Sequence, residues 1–266
     1  MVQGEIQTAV LIGAGNVGWH LAHILHEKGI RILQVLSRSE SSCKELAAVL
    51  HTGYSTRLEQ MKNFAGIIII AVPDSQIGQV IERADFGNSL VVHTAGSVPM
   101  DIFKGSVMHY GVLYPLMTFS RNKPVDFASI PLLIEANSDG NTEKLFQFAG
   151  RLSEDVRAVN SEKRKIVHLA AVFAANFPNH MYVLAENLLS RNGIRFDMLK
   201  PLIREATDKI GRMSPLTAQT GPAVRNDKVT MEEHLKILAD DADIAEIYRQ
   251  ISKSIITFAT MTTKKK

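Results

Sequence analysis

The sequence has little cysteine, no long apolar run and no strong charge imbalance, and each deficit excludes a class of protein. The single cysteine, Cys43, cannot form an internal disulfide, and without cysteine pairs a structural zinc cluster is not expected. The longest apolar run, Ile67 to Pro73, is too short to span a bilayer. The first residues lack the basic start and apolar core of a signal peptide, so we expect a cytoplasmic protein.

The charges and the known catalytic patterns narrow the function further. The formal net charge is +3, and the basic residues are scattered apart from three lysines at residues 264–266, which we expect to be a solvated terminus. Without clusters of basic and aromatic residues, nucleic acid is not an expected partner. The GxSxG pattern of many hydrolases is absent. His20, His23 and His26 share a helix but lack carboxylate geometry, so we predict no metal site.

What the sequence does contain is a glycine-rich turn between an apolar strand and an amphipathic helix, in "VLIGAGNVGWHLAHILHEKG". In this pattern Gly13 permits a tight turn, Gly15 lets a pyrophosphate approach the backbone, and Gly18 lets the helix pack on the strand. The motif predicts a dinucleotide site at the start of the helix. The alternative is a glycine turn with a purely structural role.

The end of the second strand indicates which dinucleotide is bound. NAD is usually recognised there by a carboxylate, but "RILQVLS" continues into Arg38 and Ser39 without one. Arg38 can clamp a 2′-phosphate, with hydroxyls from Ser37 and Ser39 beside it, which favours NADP. The alternative is that Arg38 is a solvated loop residue and that Ser39 only caps the next helix.

The pattern of elements predicts an α/β protein with two domains. The runs "GIIIIAVPDSQI" and "SLVVHTAGSVPM" are typical of buried parallel strands that end in ligand-binding loops, and two shorter strands follow in "SVMHYGVLYPLMTFS" and "IPLLIEA". We therefore predict a doubly wound parallel sheet over residues 1–155 and an all-helical domain over residues 156–266. The predicted helices cover residues 162–189, 195–213 and 231–261, and a homodimer through the C-terminal helices is expected.

Polar residues interrupt the first long helix of the second half. His168 and Asn176 lie two turns apart, close enough to contact one ligand, and His180 follows. Pro178 removes a backbone donor to Ala174 and is expected to bend the helix beside Asn176. Alternatively, these side chains satisfy freed backbone groups, or His168 belongs to an interface.

Two further segments carry candidate substrate residues. In "GVLYPLMTF", Tyr114 can donate to a carbonyl or imine and Thr118 can assist, although a tyrosine at a strand end often serves packing. In "SPLTAQTGPAVRNDKVTMEEHL", Thr230 and Glu233 suggest a capping box for the last helix, and Arg225 can hold a carboxylate or phosphate. The alternative for Arg225 is a surface pair with Asp227.

The motifs "GAGNVG", "AVPD", "HTAGS", "YPLMTF", "HLAAVFAANFPNH" and "TGPAVRND" together resemble, over nearly the whole chain, a bacterial family of NADP oxidoreductases. In this family a Rossmann-like domain precedes a helical C-terminal domain of unknown function, and its distant relatives are pyrroline-5-carboxylate reductase and 6-phosphogluconate dehydrogenase-like enzymes. The resemblance implies that the cleft uses His168, Asn176 and the loop from Thr220 to Asp227. From the residues themselves we expect catalytic roles for His168, Asn176 and Tyr114 and substrate contacts from Thr118, His180, Thr220, Gly221 and Arg225. The resemblance also implies that NADP is bound by Gly13, Ala14, Gly15, Asn16, Val17, Gly18, Ser37, Arg38, Ala71, Val72, Pro73, Asp74, Thr94, Ala95 and Gly96. To these cofactor residues we add Ser39 and Ile77.

The chain departs from the family pattern at three places. Tyr114 stands where many members have histidine, and Arg225-Asn226-Asp227 replaces "RGD". The lysine that acts as acid–base group in the 6-phosphogluconate dehydrogenase-like relatives is also missing, because position 172 is Val. No acid–base role is therefore transferred to a lysine.

These features lead to three functional hypotheses. The first is an NADPH-dependent reductase that delivers hydride to a small carbonyl or imine, with His168 or Tyr114 protonating or polarising the acceptor and Asn176 orienting it. The second is hydride exchange between NADP and a flavin-like carrier. The third is a non-enzymatic NADP-binding sensor or interaction module. The reductase is favoured, because polar residues in a cleft between the domains are costly unless something binds there.

Overall fold

A computed structural model describes residues 5–263, with side chains up to residue 261, so the lysines at residues 264–266 lie outside the described part. The strands are β1 (Thr8–Ile12), β2 (Arg31–Leu36), β3 (Gly53–Ser55), β4 (Ile67–Ile70), β5 (Leu90–His93), β6 (Tyr110–Pro115), β7 (Leu132–Ala136) and β8 (Val156–Ala158). The helices are α1 (Asn16–Glu27), α2 (Glu40–Val49), α3 (Ile77–Arg83), α4 (Asp139–Gly150), α5 (Ser161–Ala171), α6 (Phe177–Arg191), α7 (Lys200–Ile210), α8 (Pro215–Ala218), α9 (Lys228–Ile237) and α10 (Ala242–Thr263).

All the described strands form one sheet, in the order β3-β2-β1-β4-β5-β6-β7-β8. Neighbours pair in parallel except β6 and β7, which are antiparallel. The first six strands have the order of a doubly wound dinucleotide-binding sheet. The predicted fold class is confirmed. Because the strand order reverses between β1 and β4, a crevice opens outside the carboxyl ends of these two strands.

The isoleucine run of β4 shows how the sequence builds this sheet. Ile67 and Ile69 pack into the core on one face, Ile68 and Ile70 pack into the core on the other, and all four are fully buried. A parallel strand with helices on both faces has no solvent side. The continuous apolar run is therefore the signature of a central strand.

The helical half differs from the prediction in the extent of the last predicted helix and in the residue that caps its start. The helix predicted over residues 231–261 is two helices, because the chain turns after Leu238. The carboxylate of Asp241 then accepts a hydrogen bond from the backbone N–H of Ile244, 3.3 Å away, at the start of α10. Thr230 is not the capping residue of the last helix. Asp227 caps α9 instead, and its carboxylate accepts from the Thr230 N–H at 3.1 Å.

The chain divides into two compact units, residues 1–176 and 177–266. The sequence places a boundary at 155/156, just before β8, which pairs in parallel with β7 and so belongs to the sheet. Helix α5 also belongs to the first unit. None of the described helices is both long enough and apolar enough to cross a membrane.

Candidate functional site

Two glycines of the turn after β1 are required by packing. Gly13 has a φ of 115°, and a Cβ atom on it would collide with the carbonyl oxygen of Ala71. A Cβ atom on Gly18 would collide with the carbonyl oxygen of Gly13. The absence of these side chains brings the start of α1 against the ends of β1 and β4.

Gly15 has a different surrounding. It is the N-cap residue of α1, no side chain caps the helix there, and the first turn of α1 contains no acidic residue. A Cβ atom on Gly15 would find no heavy atom within 4 Å. The unpaired N–H groups and the positive end of the helix dipole therefore face open space, which is the arrangement that binds a phosphate anion.

The space outside Gly15 is a cavity of about 200 Å³ at the carboxyl ends of β1, β2 and β4. The predicted cofactor residues that line it are Gly13, Ala14, Gly15, Ser37, Arg38, Ala71, Val72 and Pro73. The cavity therefore joins the glycine turn to the end of β2, where a cofactor 2′-phosphate would meet Arg38. The residues present fit NADP, because the helix start suits a pyrophosphate and the arginine suits a third phosphate.

Residues from α3 and its neighbours complete this cavity and were missed from the sequence. Gln76, Gln79 and Arg83 line it, together with Thr56. The Nη1 of Arg38 donates to Oε1 of Gln76 at 3.2 Å. The spacing of Gln76, Gln79 and Arg83 places them on one helical face just after β4, a signal that the sequence did carry.

The other predicted cofactor residues lie outside this cavity. Ile77 and Ala95 are buried in the hydrophobic core, and the hydroxyl of Ser39 caps α2. Asp74 accepts a hydrogen bond from the hydroxyl of Ser97. Neither Asn16 nor Gly18 lines the cavity, whereas Val17, Thr94 and Gly96 belong to a second site.

The second site is a cavity of about 600 Å³ within the first unit. It is lined by the predicted residues Val17, Thr94, Tyr114, Thr118, His168 and Asn176. Most of the remaining wall is apolar and comes from the segment 115–117 and from helix α5 with its π-helical continuation. The fold thus brings four of the candidate catalytic and substrate residues together, and Val17 links them to the glycine turn.

Tyr114 and His168 line this second cavity and contact each other. The hydroxyl oxygen of Tyr114 lies 3.1 Å from Nδ1 of His168, and the two rings meet edge-on with centroids 5.9 Å apart. The backbone of Gly96 packs against both side chains. A Cβ atom there would lie 2.6 Å from His168 Nδ1 and 2.8 Å from Tyr114 Cζ, so only glycine leaves room for the pair.

The surroundings of Tyr114 favour its neutral form. Burial raises the pKa of its hydroxyl above the ordinary value of 10.0, and the negative charge of Asp74 adds to the increase, while the positive charge of Arg164 opposes it. A phenol with a raised pKa keeps its proton at neutral pH and can donate it in a hydrogen bond.

His93 lies in the "HTAGS" segment, as Gly96 does, but it serves the structure and not the site. This role was not predicted from the sequence. Its Nδ1 accepts from the backbone N–H of Ala95 at 3.2 Å, and its ring stacks on Phe103. Burial and the nearby charge of Arg164 lower the pKa of His93 to about 4. The ring is therefore neutral and serves the architecture of the loop.

Asn176 reaches the cavity through an irregularity in the helix. The backbone is π-helical over Val172–Asn176, and Phe177 separates this segment from Pro178. A proline cannot donate to the carbonyl four residues earlier, and a π-helical turn is one way to accommodate this. The predicted disturbance beside Asn176 thus takes the form of a π-helical segment, a feature that occurs often at functional sites.

The remaining predicted substrate residues belong to the second unit, and their contact with substrate stays a prediction. His180, Thr220 and Arg225 are exposed. The carboxylate of Asp227 accepts from the hydroxyl of Thr230 at 2.7 Å. This hydrogen bond lowers the pKa of Asp227, and the positive charge of Arg225 adds to the decrease, so the alternative of a surface pair stays open.

Gly221 and Asn226 explain the unusual composition of this loop. Both have left-handed backbone conformations, with φ of 110° and 53°. Asparagine tolerates this region better than other residues with a side chain. The departure from "RGD" to Arg225-Asn226-Asp227 therefore keeps the backbone shape that the glycine permits.

Comparisons with known proteins agree with this geometry. Residues 8–96 match the family described as NADP oxidoreductase, coenzyme F420-dependent, and residues 130–255 match a domain of unknown function, DUF2520. A crystal structure from Bacteroides fragilis, assigned as an NADP oxidoreductase, is 43% identical with a TM-score of 0.88, and the match covers 95% of this chain and 98% of that one. This chain belongs to the same family. The resemblance noted in the sequence is confirmed, and NADP is the cofactor of this family.

More distant structures share the fold of this NADP oxidoreductase. An imine reductase from Myxococcus stipitatus in complex with NADP⁺ is 17% identical with a TM-score of 0.63, covering 97% of this chain and 94% of that one. A pyrroline-5-carboxylate reductase from Coxiella burnetii is 17% identical with a TM-score of 0.55, covering 97% and 98%. The comparison with curated proteins gave no match.

Proposed function

We propose that this NADP oxidoreductase is an NADPH-dependent reductase that transfers hydride to a small carbonyl or imine. The observation that carries the proposal is the Tyr114–His168 pair, hydrogen-bonded at 3.1 Å in a cavity that Val17 and Thr94 also line. A proton donor therefore lies next to the turn that would hold the cofactor. Reduction of a carbonyl or imine needs both a hydride and a proton at one place.

Three polar side chains of the cavity, Tyr114, His168 and Asn176, have separate tasks in this proposal. The cofactor, when bound, supplies the hydride. The neutral phenol of Tyr114 donates a hydrogen bond to the acceptor oxygen or nitrogen and polarises it, and His168 supplies or replaces the proton. The amide of Asn176 orients the acceptor, and the apolar wall excludes water.

The substrate class follows from the same lining. None of the described residues that line the cavity is arginine or lysine, so this lining does not favour a substrate with a strongly anionic group at the reacting end. A small uncharged ketone, aldehyde or imine fits the apolar wall with one polar pair. Names of the structural neighbours, an imine reductase among them, agree with this choice. We propose a cytoplasmic location for this chemistry.

The test is a panel of small ketones, aldehydes and cyclic imines incubated with NADPH, followed by loss of the nicotinamide absorbance. Tyr114→Phe and His168→Ala should bind NADPH as the unaltered protein does and lose most of the turnover. Flavin and deazaflavin acceptors belong in the panel, because the matching family is named for coenzyme F420. NADPH binding without oxidation by any acceptor would contradict the reductase and favour a sensor.

We also propose that the active form is a homodimer joined through the C-terminal helices. Within residues 177–261, only Ala223, Leu238 and Ala245 are buried. Large apolar side chains are exposed instead, for example Leu202 at 64% and Ile237 at 71%. A helical unit with so small a core is stabilised when a second copy covers its apolar faces.

The oligomeric state tests this proposal directly. Sedimentation of the purified protein should show a dimer, and Ile237→Glu should shift it towards monomer, because a charge would be buried in the interface. Val49→Glu is the matched control, since Val49 is an exposed apolar residue of the first unit. A monomer at micromolar concentration would overturn the proposal.

A further inference from the structure

A buried arginine lies one helical turn before His168 and has no part in the function proposed so far. The side chain of Arg164 is fully buried, although it carries a positive charge. Burying a charge is costly unless it is paired and hydrogen-bonded, and a hydrophobic residue would often be at least as stable. A buried charge such as that of Arg164 therefore suggests a role other than stability.

The guanidinium of Arg164 joins three separate segments. Its Nη1 donates to Oε2 of Glu135 on β7 at 2.6 Å, and its Nη2 donates to the carbonyl oxygen of Val98 at 2.6 Å. Nη2 also donates to the hydroxyl of Ser161, 3.1 Å away at the start of α5. The planar fork of arginine can reach these acceptors together, whereas the point charge of lysine cannot.

Ser161 extends the same network. Its hydroxyl donates to Oε2 of Glu135 at 2.6 Å and accepts from the backbone N–H of Met100 at 2.9 Å. The start of α5 is thus fixed both to β7 and to the loop that follows β5. This cluster lies outside both cavities.

The positions of Arg164 and His168 link this network to the reactive pair. They are four residues apart on α5, so they lie on the same face of the helix. Val98, which Arg164 holds, is two residues after Gly96, on which His168 and Tyr114 pack. A shift of α5 along this loop would separate His168 from Tyr114.

We propose that Arg164 is a positioning residue that fixes the register of α5 against β7 and the loop after β5, so that His168 stays within hydrogen-bonding distance of Tyr114. The importance of that pair for turnover rests on the proposed function, but its geometry does not. Arg164 therefore acts through His168 and does not contact the substrate. The ion pair with Glu135 and the hydrogen bonds to Val98 and Ser161 offset part of the cost of its burial.

The experiment measures the ring contact itself, in protein with labelled tyrosine and histidine and no substrate. In the unaltered protein, NMR should show a nuclear Overhauser cross-peak between the rings of Tyr114 and His168, which disappears in Tyr114→Phe as an assignment control. We expect Arg164→Met and Arg164→Lys to lose this cross-peak while still folding. Arg157→Met is the matched control, because Arg157 is exposed and its ion pair is with the surface residue Asp155.

The conservative variant separates the alternatives. If Arg164 served only as a charge, Arg164→Lys would keep the cross-peak, and this result would overturn the proposal. If Arg164 served only stability, the variants would unfold at lower temperature but keep the contact when folded, which would overturn it too. Should Arg164→Met fail to fold, Glu135→Gln removes the paired charge alone and should weaken the same cross-peak.

The readout also keeps the two proposals apart. A cross-peak lost in the Arg164 variants of a protein that reduces no substrate would support the positioning role and contradict the reductase. If the unaltered protein reduces a substrate and the Arg164 variants keep the cross-peak, the reductase is supported and the positioning role is contradicted. NADPH affinity should stay unchanged in every variant, because Arg164 does not line the cofactor cavity.

Discussion

Replacing Gly15 by alanine separates the binding role of the glycine turn from its structural role. A Cβ atom at Gly15 enters open space, whereas a Cβ atom at Gly18 collides with the carbonyl oxygen of Gly13. The open space at Gly15 is the side from which a pyrophosphate would approach the start of α1. Gly15→Ala should therefore impair binding without impairing folding, and Gly18→Ala should impair folding.

The magnitudes follow from the surroundings of each glycine. At Gly15, which has an ordinary negative φ of −78°, alanine gains about 0.4–1 kcal/mol from the unfolded chain and loses a similar amount as a poor N-cap residue. At Gly18, overpacking costs about 1–3 kcal/mol. A methyl group at position 15 would keep the phosphate from its charge-assisted hydrogen bonds to the backbone, which are worth about 1.5–3 kcal/mol of binding free energy. NADPH should therefore bind Gly15→Ala roughly tenfold to a hundredfold more weakly.

The assay pairs two measurements on the same protein samples. NADPH affinity is followed by nicotinamide fluorescence, and the free energy of unfolding by urea titration. Gly78→Ala serves as the control, since a Cβ atom at Gly78 also enters open space but Gly78 does not line the cofactor cavity. If Gly15→Ala binds NADPH as tightly as the unaltered protein, the turn is structural and the reasoning is wrong.

Three further predictions follow from the site. Arg38→Ala should weaken the binding of NADPH about tenfold and leave the binding of NADH unchanged, because Arg38 is an exposed cation at the end of β2 that can contact the 2′-phosphate. An equal loss of affinity for both nucleotides in the fluorescence titration would contradict this role. Gly96→Ala should abolish most of the turnover and leave the NADPH affinity unchanged, because a Cβ atom at position 96 would lie 2.6 Å from His168 Nδ1. Full turnover in this variant would show that the Tyr114–His168 geometry is not needed. The pKa of His93 is about 4 in the folded protein against an ordinary 6.5, so the unfolded state binds more protons as pH falls through this window. Urea unfolding should therefore show up to about 3 kcal/mol of stability lost between pH 6.5 and pH 4, and His93→Phe should remove that share of the pH dependence.

The parts of the cofactor site that depend on local sequence could be predicted. The glycine turn follows a local motif, and Gly13 and Gly18 occupy the positions that the motif requires, although the atom that excludes a side chain at Gly13 belongs to Ala71 after β4. Arg38 follows its strand directly and lines the cavity as expected. Arg83 and Gln79 were missed, because their place in the cavity depends on how α3 packs after β4, which the turn motif does not describe.

Other residues show how local patterns mislead. Ile77 lies three residues after the "AVPD" segment, yet it is fully buried, because an apolar residue at the start of α3 faces the core. Ser39 caps α2, so its hydroxyl is already used by the helix. The pairing of Tyr114 with His168 spans 54 residues of sequence and depends on the space above Gly96, which no local pattern encodes.

The most direct test of the reductase is transfer of label from cofactor to product. The protein is incubated with NADPH carrying deuterium at its transferable position and with the best acceptor from the carbonyl and imine panel, and the product is analysed by mass spectrometry. The account predicts one deuterium on the former carbonyl or imine carbon, with the yield lost in Tyr114→Phe and His168→Ala. Unlabelled product, or a labelled product formed equally well by both variants, would contradict it.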